Sequence, residues 1–211
     1  MRNCLYVAAA ALWLLTSCAG PVRKTAQGFR TDGPAARFEV VCYAPEIVQV
    51  VKSPLYGEVD TAPTASVSMK PGKVRFDLET LEDGVVRLTT EALRVELDPV
   101  KAVYSFYRPD GTLLVQEQPE AASHEEIYQG FRLEPGEAIY GLGQHRGGGL
   151  DQRRKNYHLE NVNMEIAIPL FHSVKGYAVY WDNYSPTAFQ SSEDGVSFSS
   201  EAGKNCSYFF L

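Results

Sequence analysis

Clustered positive charge is scarce in this sequence. Its 211 residues include 20 Lys or Arg and 26 Asp or Glu, which gives a formal net charge of -6 at pH 7. Nucleic-acid binding depends on clustered Lys and Arg side chains that contact phosphates. The composition therefore argues against a nucleic-acid partner, and the short basic run at residues 153–155 is typical of a solvated loop.

Signals for bound metals and nucleotides are also few. The four histidines, which show no ligand spacing such as His-x-x-x-His, are His124, His145, His158 and His172. A glycine run at residues 147–149 lacks the lysine and the following helix of a phosphate-binding loop. We therefore predict no metal site and no cofactor.

Cysteine is rare as well. Cys4 and Cys18 lie near the start of the chain, and Cys42 and Cys206 lie in its body. A disulfide between the latter two is permitted in an oxidising compartment, and two buried free thiols fit the sequence equally well. Neither of these two cysteines has the surroundings of a catalytic nucleophile.

The chain has one long apolar run, close to its start. Arg2 provides a positive beginning, and residues 5–15 are apolar over a stretch shorter than the ~20 residues that span a membrane. Such a combination is typical of a secretory leader. Residues 1–17 are therefore predicted to be a signal peptide, and the protein is predicted to be exported.

The end of this leader resembles a bacterial lipobox. Leu15, Thr16 and Ser17 precede Cys18, which in such a motif becomes the lipid-modified first residue of the mature protein. The motif predicts lipidation at Cys18, with residues 18–37 as a tether, and hence a cell-envelope lipoprotein in the periplasm or attached to the outer membrane. The alternative is an ordinary secretory signal with an incidental cysteine.

Residues 38–211 consist of short alternating or β-branched runs separated by turn residues. Asp83-Gly84 and Pro109-Asp110-Gly111 predict hairpin turns, and no amphipathic helix of three turns follows the leader. The predicted strands are residues 38–43, 47–52, 66–69, 74–81, 85–89, 93–97, 103–107, 112–116, 128–133, 138–142, 166–173, 177–181, 187–190, 196–199 and 206–210. This pattern predicts an all-β protein, a large antiparallel β-sandwich.

Four motifs between residues 137 and 184 are the most informative part of the sequence. In order, they are Tyr140-Gly141-Leu142-Gly143-Gln144, Ile168-Pro169-Leu170-Phe171-His172-Ser173, Lys175-Gly176-Tyr177 and Trp181-Asp182-Asn183. Their order and spacing resemble the N-terminal domain of glycoside hydrolase family 31, which includes α-xylosidases and α-glucosidases. The resemblance extends more loosely from Phe38 to Phe210, and it implies a galactose-mutarotase-like sandwich.

A polar stretch after the glycine run is the candidate for sugar contact. In this family a loop of the N-terminal domain helps to shape the substrate site, and amides and carboxylates match pairs of sugar hydroxyls. Asn161, Asn163 and Glu165 alternate with apolar residues, so an extended segment would place all three on one face. We therefore predict that they bind substrate, and the alternative is a solvated polar loop.

The resemblance also implies where catalysis takes place. Retaining glycosidases use two carboxyl groups ~5 Å apart, and in this family both are carried by a (β/α)₈ barrel of about 250 residues. We expect that C-terminal catalytic barrel to be missing from this chain, so no catalytic residue is assigned and the chain alone is expected to be inactive. Asp182 is interpreted as a turn former.

The resulting prediction is a carbohydrate-associated domain of an α-glycosidase that hydrolyses O-glycosyl bonds. Its expected partners are an α-linked oligosaccharide or glycoside, the missing barrel, and the membrane through the anchor at Cys18. The alternative function is that of a non-catalytic glycan-binding envelope lipoprotein. A weaker third possibility is a structural sandwich of the envelope.

Overall fold

The computed structural model describes residues 20–56, 63–119, 127–146 and 149–211. The strands in these residues are β1 (Arg23–Lys24), β2 (Gly28–Asp32), β3 (Ala36–Cys42), β4 (Val48–Pro54), β5 (Asp77–Thr80), β6 (Val86–Thr89), β7 (Arg94–Asp98), β8 (Val103–Tyr107), β9 (Leu113–Gln118), β10 (Ile127–Arg132), β11 (Ile139–Gln144), β12 (Tyr157–Leu159), β13 (Ile166–Ser173), β14 (Tyr177–Trp181), β15 (Thr187–Ser191), β16 (Gly195–Ser200) and β17 (Cys206–Phe210). The described residues contain no helix. No membrane-spanning helix is therefore found among them.

The strands form two antiparallel sheets. Sheet A has eight strands in the order β1-β2-β3-β4-β17-β14-β13-β11. Sheet B has nine strands in the order β12-β15-β16-β10-β9-β8-β7-β6-β5. The predicted all-β sandwich is therefore confirmed.

Aromatic rings from both sheets fill the space between them. Phe106 of β8 stacks on Phe210 of β17, with ring centroids 4.2 Å apart, and Phe131 of β10 meets Tyr208 of β17 edge to face at 5.2 Å. The indole nitrogen of Trp181 donates a hydrogen bond to Ser200 Oγ at 2.8 Å, so its polar atom is satisfied inside the core. Alternation along each strand thus supplies one continuous apolar layer.

The two predicted hairpin turns are present, with the expected chemistry. Asp83 Oδ1 accepts the Val85 N–H at 3.1 Å, and Asp110 Oδ1 accepts the Thr112 N–H at 2.9 Å. Gly84 and Gly111 have positive φ angles of 85° and 92°, which L-residues with side chains seldom adopt. These turns determine the register of β5 with β6 and of β8 with β9.

The ordered domain begins earlier than the sequence indicates. Order was expected from Phe38, after a tether, yet β1 and β2 already belong to sheet A, and Phe29 is completely buried. Only Phe29 and Thr31 on β2 face the core, and this alternation is too short to stand out from the Gly- and Pro-rich sequence around it. Residues 23–32 are thus part of the sandwich.

The strand predicted at residues 66–69 is absent. Val67, Ser68 and Met69 instead follow a turn, in which the Val67 N–H donates to the Thr64 carbonyl oxygen at 3.0 Å, and they lie over the outer face of sheet A. The apolar alternation of Val67 and Met69 does not produce a strand here, since the segment pairs with no neighbouring strand in the described residues.

A buried ion pair connects the sheets. Lys52 Nζ on β4 lies 2.8 Å from Glu117 Oε2 on β9, and the two side chains are 3% and 0% exposed. Tyr208 donates its hydroxyl hydrogen to Glu117 Oε1 at 2.7 Å, and Lys52 also donates to Gln129 Oε1 at 2.6 Å. Burial raises the pKa of Glu117, and the Lys52 ammonium group opposes that shift.

Cys42 and Cys206 are both buried, and they form no disulfide. The strand β4 lies between β3, which carries Cys42, and β17, which carries Cys206. On β4, Val48 is the partner of Cys42 and Lys52 is the partner of Cys206, so the two cysteines are offset by four residues along this strand. That separation is too long for a disulfide, whose Cα atoms lie about 4.4–6.8 Å apart. Burial raises the pKa of the Cys42 thiol to about 11, which makes it a poor nucleophile.

Candidate functional site

The site begins at an irregular stretch of β11. Gly141, Leu142 and Gly143 all have positive φ angles, of 119°, 67° and 93°. A side chain on Gly143 would place its Cβ 1.9 Å from the Ile166 carbonyl oxygen, and one on Gly141 would come within 2.4 Å of the Leu170 carbonyl oxygen. Both glycines therefore permit a close backbone approach to β13.

The partner strand bulges at the same level. Between the pairs Gly141–Phe171 and Gly143–Ala167, β11 has one residue and β13 has three, residues 168–170. Pro169 is one of those three. A proline has no backbone N–H to donate, and it is tolerated in a bulge because residues there need not pair with the neighbouring strand. The glycine motif and the Ile-Pro motif are thus two sides of one distortion, which directs the end of β11 toward the loop that follows it.

His145 connects the end of β11 to that loop. Its ring stacks on Tyr157 of β12, with centroids 4.1 Å apart, and its Nε2 lies 2.8 Å from the Leu142 carbonyl oxygen. A carbonyl oxygen only accepts, so Nε2 carries the hydrogen. On the other side, Nδ1 lies 3.7 Å from Glu165 Oε2. The buried imidazole ring therefore contacts the bulge, β12 and the predicted sugar loop together.

The predicted sugar loop is a tight turn and not an extended segment. The Glu165 N–H donates to the Val162 carbonyl oxygen at 3.2 Å, these two residues form an isolated antiparallel bridge, and Met164 has a φ angle of 72°. The expectation that Asn161, Asn163 and Glu165 would share one face of an extended strand is therefore wrong in its geometry. A turn of four residues reverses the chain between them.

Each of the three predicted residues has different surroundings in this turn. Asn161 is exposed, and its Oδ1 accepts the Ala167 N–H at 2.9 Å. Asn163 is exposed at the tip of the turn. Glu165 is half-buried beside His145. All three thus belong to one protruding turn, whose base is fixed by Asn161 and Glu165.

Sequence reasoning missed an apolar surface next to this turn. Four of its side chains, which occur at alternate positions and are all exposed, are Val162, Met164, Ile166 and Ile168. Of these four, Ile168 lines a cleft of about 510 Å³ whose walls also include Pro169, Tyr180, Phe209 and Met69. We call these five cleft residues the apolar face. The alternation of apolar residues from 162 to 168 was visible in the sequence, but there it was used only to orient the polar residues.

The buried carboxyl groups hold the sandwich together. Glu137 accepts hydrogen bonds from the Ser173 and Tyr177 hydroxyls and from the Glu134 N–H, and so fixes the turn between β13 and β14 to the start of β11. Asp182 accepts the Thr64 N–H, and burial raises the pKa of this carboxyl group. Within the described ranges, no group of three or more His, Cys, Asp or Glu residues is arranged to hold a metal ion.

Comparison with protein families finds a match over most of the chain. The model of the glycosyl hydrolase 31 N-terminal galactose mutarotase-like domain matches residues 37–190. An α-xylosidase of Saccharolobus solfataricus is 36% identical over 101 residues, which cover 44% of this chain and 14% of that enzyme.

Solved structures share the fold. A family 31 dextranase of Flavobacterium johnsoniae, complexed with glucose, superposes with a TM-score of 0.72 at 18% identity, covering 92% of this chain and 26% of that one. An α-xylosidase of Xanthomonas citri gives 0.71 at 25% identity, covering 80% and 20%. A soil-metagenome α-xylosidase complexed with xylose gives 0.74 at 17% identity, covering 91% and 32%. The chain therefore spans less than a third of the length of each of these relatives.

Proposed function

Because the chain belongs to the family of glycosyl hydrolase 31 N-terminal galactose mutarotase-like domains, we propose that it acts as the N-terminal domain of an α-glycosidase. The match over residues 37–190 carries this proposal. The 36% identical relative is an α-xylosidase, and the solved relatives include two α-xylosidases and a dextranase. The proposed substrates are accordingly α-linked xylosides or glucosides.

In this proposal the apolar face receives the catalytic domain. Ile168 is exposed in a cleft whose walls include Pro169 and Tyr180, and Val162, Met164 and Ile166 are exposed in the residues just before it. Contiguous exposed apolar side chains of this kind mark surfaces that another domain covers. The turn at residues 161–165 rises from the same place, so a catalytic domain seated on the apolar face would have this turn at its edge.

The role of the turn is to complete the sugar site. Asn163 is exposed at its tip, and the carboxylate of Glu165 is held near His145, so an amide and a carboxylate are presented on a supported backbone. These groups suit sugar hydroxyls because an amide both donates and accepts and a carboxylate accepts two hydrogen bonds. Each contact of this kind contributes on the order of 1 kcal/mol.

The experiment uses the enzyme in which this domain is joined to its catalytic domain. Asn163→Ala and Glu165→Ala should each lower kcat/KM for an aryl α-xyloside by about fivefold, since a contact of about 1 kcal/mol corresponds to that factor. Glu160→Ala is the matched control, because Glu160 is an exposed carboxylate just before the turn. Full activity in both variants, at an unchanged melting temperature, would show that the turn is scaffold only.

We further propose that the domain is exported and anchored at Cys18, in the periplasm or on the outer membrane. This residue and the leader before it lie outside the described residues, and the support comes from the Leu-Thr-Ser-Cys order at the end of an apolar run. A clickable fatty-acid analogue should label the wild-type protein in cells and leave Cys18→Ala unlabelled. Equal labelling of the two proteins would contradict the anchor.

A further inference from the structure

A second cleft shares no lining residue with the turn at residues 161–165. It is formed by the loop after β14 at residues 182–185, the loop between β16 and β17 at residues 202–205, and the neighbouring Thr64 and Ser207. Its volume is about 400 Å³, within the range of pockets that hold small molecules. The walls come from three separate stretches of the chain, so the sandwich itself builds the cleft.

Asp182 lies at the floor of this cleft. It is only 6% exposed, and its two carboxyl oxygens lie 3.2 and 3.1 Å from the Thr64 N–H, which donates to them. Ser207, also buried, lines the floor beside it. A single carboxylate provides too few ligands for a divalent metal ion, and its charge disfavours phosphate or another anion. Hydroxyl groups are the donors that such a floor accepts most readily.

Tyr184 forms one wall, and its ring is held in place. The side chain is 78% exposed, yet its hydroxyl oxygen accepts the Ala65 N–H at 3.0 Å. The loop that carries it is closed by two hydrogen bonds to the Ala202 carbonyl oxygen, from Asn183 Nδ2 and Ser185 Oγ, both at 3.0 Å. An aromatic face is thus presented to solvent on a fixed backbone, which lowers the entropy lost when a ligand binds.

We propose that this cleft is a second carbohydrate site, which binds one neutral sugar unit. Asp182 would accept hydrogen bonds from a pair of sugar hydroxyls, and the Tyr184 ring would cover the apolar face of the pyranose. Lys204 and Asn205 line the rim, where amine and amide groups meet the remaining hydroxyls. The site needs no catalytic domain, because every wall belongs to this chain.

The test is a titration of the full chain with methyl α-D-xylopyranoside and, separately, with isomaltose, followed by amide chemical shifts. Saturable shifts are expected at residues 182–185 and 202–205, with a dissociation constant in the millimolar range, as suits a shallow site for one sugar. Tyr184→Ala and Tyr184→Leu, which both remove the aromatic face, should weaken binding about fivefold to tenfold. Tyr56→Ala is the matched control, since Tyr56 is 89% exposed and lies outside the cleft.

Three results would overturn the proposal: no saturable shift with either sugar, shifts confined to residues 161–165, or equal affinity in the wild type and both Tyr184 variants. Tyr184→Leu retains an apolar side chain at this position, so it remains informative if Tyr184→Ala folds poorly. The outcome is also separate from the α-glycosidase proposal. Loss of sugar binding here would leave catalysis by the joined enzyme unaffected, and an inactive joined enzyme would leave this titration unaffected.

Discussion

Lys52 occupies a core position of β4 as a charged residue. Its neighbours on the same face, Val48 and Val50, are fully buried and apolar, and the alternation alone predicts an apolar residue at position 52. The exception is explained by the opposite sheet, where Glu117 occupies a core position of β9. Sequence separation hides this pairing, since the partners lie on different sheets and meet only in the folded protein.

Removing one partner of this pair should destabilise the fold strongly. Lys52→Met keeps the apolar stem but leaves the Glu117 carboxylate buried without its cation, which costs about 3–5 kcal/mol of unfolding free energy. The measurement is urea unfolding at pH 7. Lys101→Met is the control, because Lys101 is 74% exposed in its pair with Asp98 and exposed pairs contribute about 0–1 kcal/mol. Similar losses in the two variants would contradict this account.

A second residue-scale result concerns the predicted sugar contacts. Composition located the polar turn correctly, because amides and carboxylates are conspicuous in a stretch between strands. The local geometry was not predictable in the same way. Met164 adopts a positive φ angle without being glycine, so nothing in the turn's sequence signals the reversal between Asn163 and Glu165. His145, which supports the turn, carries no local signal either, since its partners come from other elements.

At the scale of elements, hairpins were predicted best. β8 was predicted at its observed bounds, and β7 and β9 within two residues, since alternation and turn chemistry agree there. β1 and β12 were missed because they are two and three residues long, too short to show a period. The false strand at residues 66–69 shows the opposite error, in which apolar alternation occurs in a segment that pairs with no strand of the described residues.

The close approach of β11 and β13 at the glycine motif can be tested by substitution. Gly143→Ala should lower the free energy of unfolding by several kcal/mol, at the top of the usual range for point substitutions, because the new Cβ would lie 1.9 Å from the Ile166 carbonyl oxygen at a φ angle of 93°. Gly136→Ala is the matched control. It has a φ angle of 79° and nothing within 4 Å of the new Cβ, so it should lose only about 1 kcal/mol.

Both substitutions place an alanine at a positive φ angle, but only the one at Gly143 also creates a steric conflict. The difference in unfolding free energy between the two variants, measured by chemical denaturation, therefore reports the cost of the steric conflict. If Gly143→Ala loses no more stability than Gly136→Ala, β11 and β13 move apart easily, and the bulge does not fix the direction of the loop that follows.

At the scale of the whole molecule, the N-terminal strands are part of the stability of the domain. A chain that begins at Phe38 loses β2 and with it the buried ring of Phe29, so its unfolding free energy should fall by about 3 kcal/mol or more. A chain that begins at Gly28 loses β1, whose two residues are exposed, and the half-buried Val22, so relative to one that begins at Gly20 it should lose clearly less stability than the chain that begins at Phe38. Thermal unfolding of the three proteins measures the difference, and equal melting temperatures would restore the tether interpretation.

The position of β17 has a consequence for when this domain can fold. Residues 206–210 are the last strand described along the chain, yet they lie in the middle of sheet A, between β4 and β14. Until they leave the ribosome, β1–β4 have no strand to join them to β11, β13 and β14, and Phe106 and Phe131 lack the aromatic partners that β17 provides. Contacts across such long sequence separations form slowly. The core of the sandwich is therefore completed only after β17 has been synthesised, although every strand of sheet B precedes it in the chain.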